Sequence, residues 1–293
     1  MINKRKIEWH ADDYGLFPEQ SRRILKCAEN GKLNAISVFP NSDALEECMH
    51  LLADAAPQVD VTVHLNLIEG KSLTSHSIIP FLTDENGVFS VTFGKLLAAS
   101  FSAHRNEWKS QLKKELRAQI YAVMPFLSGK SLRLDSHAHY HMIPVVFDAL
   151  MEVISEDKLY IEYIRIPKEY LSLYLKHFFQ LKGLKPINFV KVIVLNMLSG
   201  YSMHKYGNEI KNANKSFFMG VLLSDNMNND NVRILISDAL LFAEKKDFSL
   251  EILAHPGGVY EESDIQKITF PNDIEFMTSD NRRKEAEMFM QIC

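Results

Sequence analysis

The sequence is poor in cysteine and has no long apolar run. Its 293 residues include only three cysteines, Cys27, Cys48 and Cys293. Their odd number and scattered spacing argue against a disulfide framework or a cysteine metal site, so we expect buried or terminal thiols. No segment approaches the length of a membrane span, and the opening MINKRKIEWHADD lacks the apolar stretch of a signal peptide. These absences predict a cytoplasmic protein without a membrane partner.

A strong excess of one charge is also missing. The chain has 33 basic and 37 acidic residues, mixed along its length, and a formal net charge of -4. Nothing in this balance indicates a nucleic-acid partner or a basic membrane-binding face. The expected partner is therefore a small molecule. The sequence leaves the oligomeric state open, with a homodimer as one option.

Two kinds of catalytic motif are absent as well. Neither G-x-G-x-x-G nor G-x-x-x-x-G-K occurs in the sequence, which disfavours nucleotide chemistry, because these glycine loops hold phosphates. The nucleophile motif G-x-S-x-G does not occur either. Any hydrolytic activity then has to come from other groups.

Short apolar runs alternate with amphipathic stretches along the chain. KIEWHA, LNAISVFP and VDVTVHLNL are typical of strands, and the stretches between them are typical of helices. This βαβαβ rhythm predicts an α/β fold with a parallel sheet covered by helices. The length and the even composition favour one domain over residues 1–293, with a (β/α) barrel-like fold of distorted TIM type. An open doubly wound sheet is the alternative.

One segment, residues 70–107, interrupts this rhythm. It contains a turn signal, DENG at 84–87, and few long periodic runs. We interpret it as an excursion inserted over one end of the fold, where it could cover a site. A polar tail is expected after LAHPGG. Further helices are predicted over about residues 107–127, 169–181, 186–205 and 229–246.

Two adjacent carboxylates, Asp12 and Asp13, stand at the end of the first strand in KIEWHADDYG. Neighbouring residues of a strand point to opposite faces, so both can reach one site only if the strand is already turning, which Gly15 would allow. Two close carboxylates repel each other unless a cation or a hydrogen-bond network lies beside them. The alternative is that one aspartate caps the helix near Pro18 and the other is solvated.

A run of histidines follows another predicted strand, in RLDSHAHYHMIP. Asp135, His137, His139 and His141 recur at a period of two, so an extended backbone would place all four on one face. Alternating histidines on a strand can bind a metal, while Asp135 could orient a neighbouring imidazole. If the chain turns after His137, we expect His139 and His141 to line a substrate cleft instead.

Three further residues complete the candidate site. His64 lies in a predicted strand, where a lone histidine is more often structural than a ligand. His255 precedes a rigid Pro-Gly-Gly turn, a position that suits a general acid. Arg165 is a cation flanked by apolar residues, which suits pairing with Asp12 or holding a substrate oxygen, and a structural ion pair is the equally open alternative. Together these groups favour metal-assisted hydrolysis.

Six segments, ADDYG, VHLNLIEGKSL, LDSHAHYHMIP, YIRIP, FFMGVLLS and LAHPGG, make the sequence resemble the YdjC-like carbohydrate deacetylase family, which includes the chitooligosaccharide deacetylases. The resemblance spans nearly the whole chain in family order. It implies a (β/α) barrel-like fold, one divalent metal ion, and removal of an N-acetyl group from an acetylated amino sugar or chitooligosaccharide with release of acetate.

The resemblance also implies a role for each matching residue. Asp13, His64 and His137 match the metal ligands, Asp12 the catalytic base, and His255 the general acid that protonates the departing amine. We assign Arg165, His139 and His141 to substrate binding. Two histidines and one aspartate do not decide between zinc and magnesium.

The sequence departs from the family pattern at His10, Ala138, Ile68 and Ser72, where Asn, His, Thr and Pro are usual. These positions lie beside the expected site and bear on the substrate more than on the chemistry. Two alternatives stay open. One is another metal-dependent hydrolase, acting on a phosphoester or a cyclic amide, and the other is a sugar-binding protein without turnover.

Overall fold

A computed structural model describes residues 6–127, 129 and 131–292. Cys293, one of the predicted thiols, lies outside these residues. Seven strands of the described chain form one sheet in which every neighbouring pair is parallel. The strands are β1 (Ile7–Tyr14), β2 (Ala35–Val38), β3 (Asp60–Leu65), β4 (Leu132–Ser136), β5 (Ile161–Ile164), β6 (Ser216–Met219) and β7 (Ser249–Ala254).

Helices connect the strands and pack against the sheet, as the alternating pattern predicts. An α/β fold with a parallel sheet and covering helices is therefore confirmed. The helices are α1 (Pro18–Glu29), α2 (Leu45–Ala55), α3 (Phe93–Ala99), α4 (Arg105–Val123), α5 (Pro144–Glu156), α6 (Leu171–Lys176), α7 (Pro186–Ile210), α8 (Asn229–Glu244), α9 (Glu262–Ile265), α10 (Pro271–Thr278) and α11 (Asn281–Gln291).

The strand order is β5-β4-β3-β2-β1-β7-β6, which is the order of a barrel opened between β5 and β6. A backbone hydrogen bond from Ile164 to the carbonyl of Ala213, at 2.9 Å, links β5 to the segment before β6. The barrel-like architecture is thus present in the described residues as a curled seven-stranded sheet. A TIM-type barrel has eight strands and closes, and that finer prediction is not confirmed.

Side chains of the strands alternate between an apolar outer face and a polar inner face. In β1, Trp9 points outward and packs edge-on against Phe289 of α11, with ring centroids 6.3 Å apart. Glu8, His10 and Asp12 point to the opposite, concave face, where they meet charged side chains of other strands. The concave face therefore holds a polar network where many barrels have an apolar filling.

Two predictions of local structure are wrong. The helix expected over 169–181 is only α6, because the chain turns at His177, whose ring bonds to Asp238 of α8 at 2.7 Å. The expected polar tail forms α9, α10 and α11, which bury Met277, Met288 and Phe289. Apolar residues too widely spaced to show a clear period in the sequence become buried once these short helices pack.

The excursion predicted near 70–107 is present between β3 and α4. It contains α3 and two isolated antiparallel bridges, Lys71 with Val88 and Thr83 with Phe89. Glu69, at its start, accepts backbone hydrogen bonds from Thr269 and Phe270 at 2.7 and 2.8 Å. The excursion is therefore fastened to the segment that leads into α10.

Cys27 and Cys48 are buried, as predicted for structural thiols. Burial raises the pKa of Cys27 to about 12 and also raises the pKa of Cys48, so both are poor nucleophiles at neutral pH. Among the described helices, none combines the length and the apolar character that crossing a bilayer requires.

Candidate active site

A β-bulge at the end of β1 brings both adjacent aspartates into one site. Ala11 pairs with Ile36 and Tyr14 with Val38, so β1 uses one residue more than β2 over this stretch. Asp13 has a left-handed backbone, with φ 67°. Asp12 and Asp13 consequently both line the same cavity, and the turning strand that the sequence required is confirmed.

Three side chains from three strand ends converge beside the bulge. Asp13 Oδ1 lies 3.3 Å from His64 Nε2 and 3.1 Å from His137 Nδ1. One possible ligand atom from each residue lies within 4.8 Å of the others, and all three residues are buried. These are the three residues that the resemblance matched to metal ligands, and the fold brings them together.

Each histidine of this cluster is held by a second carboxylate behind it. His64 Nδ1 donates to Asp135 Oδ1 at 2.7 Å, and His137 Nε2 donates to Asp273 Oδ2 at 2.7 Å. The ring nitrogen that remains on each imidazole faces Asp13. A carboxylate behind a metal-binding imidazole fixes its orientation and raises its basicity. Asp135 thus orients a neighbouring imidazole, as the sequence suggested. Asp273 is a second orienting carboxylate, which the sequence did not indicate.

The cluster favours a positive charge. Burial alone would lower the pKa of His64, but Asp135 and Asp12 outweigh it and raise that pKa to about 9. Asp273 and Asp13 likewise overcome burial and raise the pKa of His137 well above its usual value. Protons or a metal ion would supply the charge that these carboxylates favour.

The donor atoms fit a divalent metal ion. His64 Nε2 is buried and has no hydrogen-bond partner among the described residues, although it lies 3.3 Å from Asp13 Oδ1. An unpartnered buried nitrogen that faces a carboxylate and a second imidazole is a ready ligand. Two imidazoles and a carboxylate suit zinc, and magnesium is compatible through the carboxylate and water.

Two other groups of acids and histidines on the concave face already have a cation. Glu8, His10 and Glu251 form one, and His10, Asp12 and Asp135 form the other. Arg133 donates to Glu8 at 2.6 Å, and Arg165 donates to Asp12, Asp135 and Glu251. Guanidinium groups neutralise these carboxylates, so the Asp13–His64–His137 cluster is the best candidate for a metal.

Arg165 is fully buried and does not face the cavity. Its Nη1 donates to both carboxylate oxygens of Asp12, at 3.0 and 2.9 Å, and its Nε donates to Glu251 at 2.7 Å. Of the options that the sequence left open, pairing with Asp12 is observed, and it belongs to a buried ion-pair network that includes Asp135 and Glu251. The placement does not support the substrate contact that we assigned to Arg165.

The histidine run is not extended beyond its first member. Ala138 and His139 have left-handed backbones, with φ 48° and 58°, and the segment His137–Met142 forms a tight helical turn. The prediction of four side chains on one strand face is therefore wrong past His137. The alternative, a turn after His137, is the one that the structure adopts.

The turn separates the two remaining histidines. His139 lines the cavity, and its buried Nδ1 has no hydrogen-bond partner among the described residues. His141 lies deeper, with its ring bonded to Ser136 Oγ at 2.6 Å and to the carbonyl of Arg165 at 2.8 Å. His139 is thus positioned for substrate binding, whereas the position of His141 supports a structural role instead of the predicted substrate contact.

His255 lines the same cavity at the end of β7. Its backbone N–H donates to Glu285 at 2.6 Å, and its ring packs edge-on against Phe276 with centroids 4.9 Å apart. Burial lowers the pKa of His255, although Asp13 and Glu285 oppose the shift. The imidazole is therefore neutral at pH 7, in contrast to the imidazolium that an acid role requires at the moment of proton transfer.

The cavity has a volume of about 450 Å³ and mostly apolar walls beyond the charged end. The excursion contributes Phe93, and α7 contributes Val190 and Lys191. The C-terminal helices supply Asp273 and Phe276. Neither these two residues nor Glu285 stands out in the sequence, because this region has the polar composition that predicts a tail. The Pro271 helix start just before Asp273 was the one local signal available.

Residues 6–291 match the YdjC-like protein family. Among solved structures, a protein of Enterococcus faecalis, provisionally described as a cellobiose-phosphate cleavage protein, superposes with a TM-score of 0.60 at 16% sequence identity. The superposition covers 99% of this chain and 97% of that chain, so the two share a fold over their full lengths. The family match extends over nearly every residue, as the six sequence segments predicted. This chain belongs to the YdjC-like protein family.

Proposed function

We infer that this protein is a metal-dependent hydrolase that removes N-acetyl groups from acetylated amino sugars or chitooligosaccharides and releases acetate. Membership in the YdjC-like family supports a carbohydrate-processing hydrolase. The observation that carries the finer proposal is the Asp13–His64–His137 cluster, two of whose members, Asp13 and His137, line one cavity with Asp12 and His255. The set combines a candidate metal centre with a carboxylate and an imidazole that can move protons.

Asp13, His64 and His137 would hold the metal, with Asp135 and Asp273 behind the two imidazoles. When bound, such an ion lowers the pKa of a water molecule and polarises a carbonyl oxygen. The remaining work falls to the residues of the chain. They have to orient the acetamide, accept a proton from the attacking water and deliver a proton to the leaving nitrogen.

Asp12 is the proposed base. Its carboxylate is fixed by two hydrogen bonds from Arg165, at 3.0 and 2.9 Å, and it lies on the cavity wall next to Asp13. Because the carboxylate is already held in place, it loses little rotational freedom on reaching the transition state, and this lowers the barrier. As the water oxygen bonds to the acetyl carbon, Asp12 takes the water proton.

His255 is the proposed acid, because an amine leaves only when its nitrogen is protonated. Since burial keeps His255 neutral, it must first gain a proton, and we propose that the proton taken by Asp12 is the source. The C–N bond then breaks as His255 protonates the nitrogen, giving acetate and a free amino sugar. His139 would hold a substrate polar group through its unpartnered Nδ1.

The direct test is acetate release from N-acetylglucosamine oligomers by metal-loaded protein. We expect acetate to be released, activity to disappear on chelation and to return with Zn²⁺ or Mg²⁺. A parallel panel of sugar phosphates and cyclic amides covers the other hydrolases. Phosphate or a ring-opened acid as the only product would replace the proposal, and saturable sugar binding without any product would favour a binding protein.

Mutating the two adjacent aspartates one at a time should have different effects on metal binding and on kcat. Asp13→Asn should weaken metal binding, because an amide oxygen is a poorer ligand than a carboxylate, and Asn tolerates the left-handed backbone at this position. Asp12→Asn should retain the metal but lower kcat by about 10²–10⁴-fold, the typical contribution of a general base. Atomic emission measures the metal content of each variant, and an acetate-release assay measures its kcat. Equal loss of metal in the two variants would contradict the division of roles.

Asp273 should tune the affinity of the metal site through His137. Asp273→Asn removes the carboxylate behind that imidazole, and we expect metal affinity to fall by about 10- to 100-fold. Asp264→Asn is a matched control, since Asp264 is also a mostly buried aspartate of the C-terminal helices but bonds to Lys267. Competition with a chromophoric chelator measures both affinities. Unchanged affinity in Asp273→Asn would show that Asp273 has no influence on the metal site.

The acid role of His255 predicts a dependence on the leaving group. His255→Gln should lower kcat for the N-acetyl sugar by about 10²–10⁴-fold. It should affect p-nitrophenyl acetate far less, because p-nitrophenolate leaves without a proton. Hydrolysis rates of both substrates are compared at equal metal content. Equal losses on the amide and the ester would assign His255 a role other than protonating the amine.

A further inference from the structure

A buried carboxylate bridges the two chain segments that follow β5 and β6, the edge strands between which the sheet is open. Glu169 lies in the segment after β5. Its carboxylate accepts hydrogen bonds from three successive backbone N–H groups directly after β6, those of Gly220, Val221 and Leu222, at 2.6, 2.6 and 3.1 Å. Because all neighbouring strands are parallel, this bridge lies at the carboxyl end of the sheet, where the cavity is.

The carboxylate of Glu169 and the backbone after β6 stabilise each other. Successive N–H groups that point to one place form a site suited to an anion, and the chain fills this site with its own side chain. Burial raises the pKa of Glu169, and the three N–H groups oppose that shift. Without Glu169, the three buried N–H groups would lose the acceptor that they share, which is costly in a buried position.

The segment that Glu169 holds also packs closely against β7. A Cβ atom on Gly220 would lie 2.7 Å from the Cβ of Leu253, so a glycine is needed for this approach. Gly220, Val221 and Leu253 all line the cavity. The backbone after β6 is therefore part of the cavity wall, and its position depends on the contact with β7 and on the bonds to Glu169.

Two asparagines of α7 join the same arrangement. Asn196 accepts a hydrogen bond from the backbone N–H of Glu169 at 3.0 Å and donates one to its carbonyl at 2.8 Å. Asn188 donates to the carbonyl of Leu222 at 3.2 Å. Since α7 itself lines the cavity, for example through Val194, the part of the wall formed by α7 and by the segment after β6 is held together at Glu169.

We infer that Glu169 is a positioning residue, which closes the open seam of the barrel at the end that contains the site and fixes the backbone of residues 220–222 as a wall for the bound sugar. The sugar as occupant rests on the proposed function. His139, the proposed polar contact of the substrate, packs edge-on against Phe218 of β6 with ring centroids 5.7 Å apart. None of the proposed metal-binding or proton-transferring groups belongs to this wall, so loosening it should weaken substrate binding and spare the chemical step.

Hydrogen–deuterium exchange of the metal-loaded protein tests the bridge without any substrate. The amides of residues 220–222 should exchange slowly in the wild-type chain, because each is buried and bonded. In Glu169→Gln the side-chain amide group would face the N–H of Leu222, donor against donor, while the remaining oxygen still accepts the other two bonds. Exchange at Leu222 should then be about 10-fold faster, as for loss of one hydrogen bond to a charged group. Glu169→Ala should release all three amides.

Steady-state acetate release by the metal-loaded protein tests the positioning role. Both variants should raise KM for the N-acetyl sugar several-fold, Ala more than Gln, with kcat and metal affinity unchanged. The matched control is Glu115→Gln on α4. Glu115 is also buried and accepts two backbone N–H groups, from Leu73 and Thr74 at 3.1 and 2.9 Å, but it holds the excursion and not the segment after β6. This control should lose thermal stability and keep the wild-type KM.

Each outcome bears on the role of Glu169. Wild-type exchange at residues 220–222 in both variants would overturn the bridge. An unchanged KM, a loss of kcat or metal affinity in place of the rise in KM, or an equal rise in KM in Glu115→Gln would overturn the positioning role. If the wild-type protein releases no acetate, the proposed function fails, and exchange of the three amides alone decides whether Glu169 holds the wall.

Discussion

One buried guanidinium, that of Arg165, connects three strands through their carboxylates. Asp12 of β1, Asp135 of β4 and Glu251 of β7 all bond to it. A buried charge is costly unless it is fully paired, and removing one partner leaves the others uncompensated. Together with Arg133, which pairs with Glu8, this side chain allows the concave face to keep several carboxylates. Asp135 in turn fixes His64, so the candidate metal cluster depends on Arg165 without touching it.

The same guanidinium makes the two adjacent aspartates different. Asp12 is neutralised by Arg165, whereas Asp13 faces two imidazoles. A bulge puts both side chains in the cavity, and the left-handed backbone of Asp13 turns it away from its neighbour. Two carboxylates that are identical in the sequence thus acquire different partners. Charge pairing, more than position along the strand, separates a candidate base from a candidate ligand.

The far side of the site is built by segments distant in sequence. Glu69 holds the chain at Thr269 and Phe270, and the helix that follows carries Asp273 to His137. The C-terminal helices also bring Glu285 to the backbone of His255. The helices here are short, and these hydrogen bonds add to the packing of the apolar side chains that they bury, such as Met288 and Phe289. The excursion and the chain end therefore both line the cavity, through Phe93 and through Asp273 and Phe276, and α7 lines it through Val190 and Val194.

The sequence by itself determined the parallel α/β architecture and the polar residues at strand ends, because hydrophobic period and strand polarity are local properties. It thereby singled out Asp12, Asp13, His137 and His255, which line one cavity, whereas His64 was assigned as a ligand only through the family resemblance. Only the tertiary structure decided that Arg165 pairs inside the sheet, that the histidine run turns after its first member, and that Asp273 supports a histidine 136 residues away. Such contacts depend on how distant elements pack, and no local pattern records that geometry.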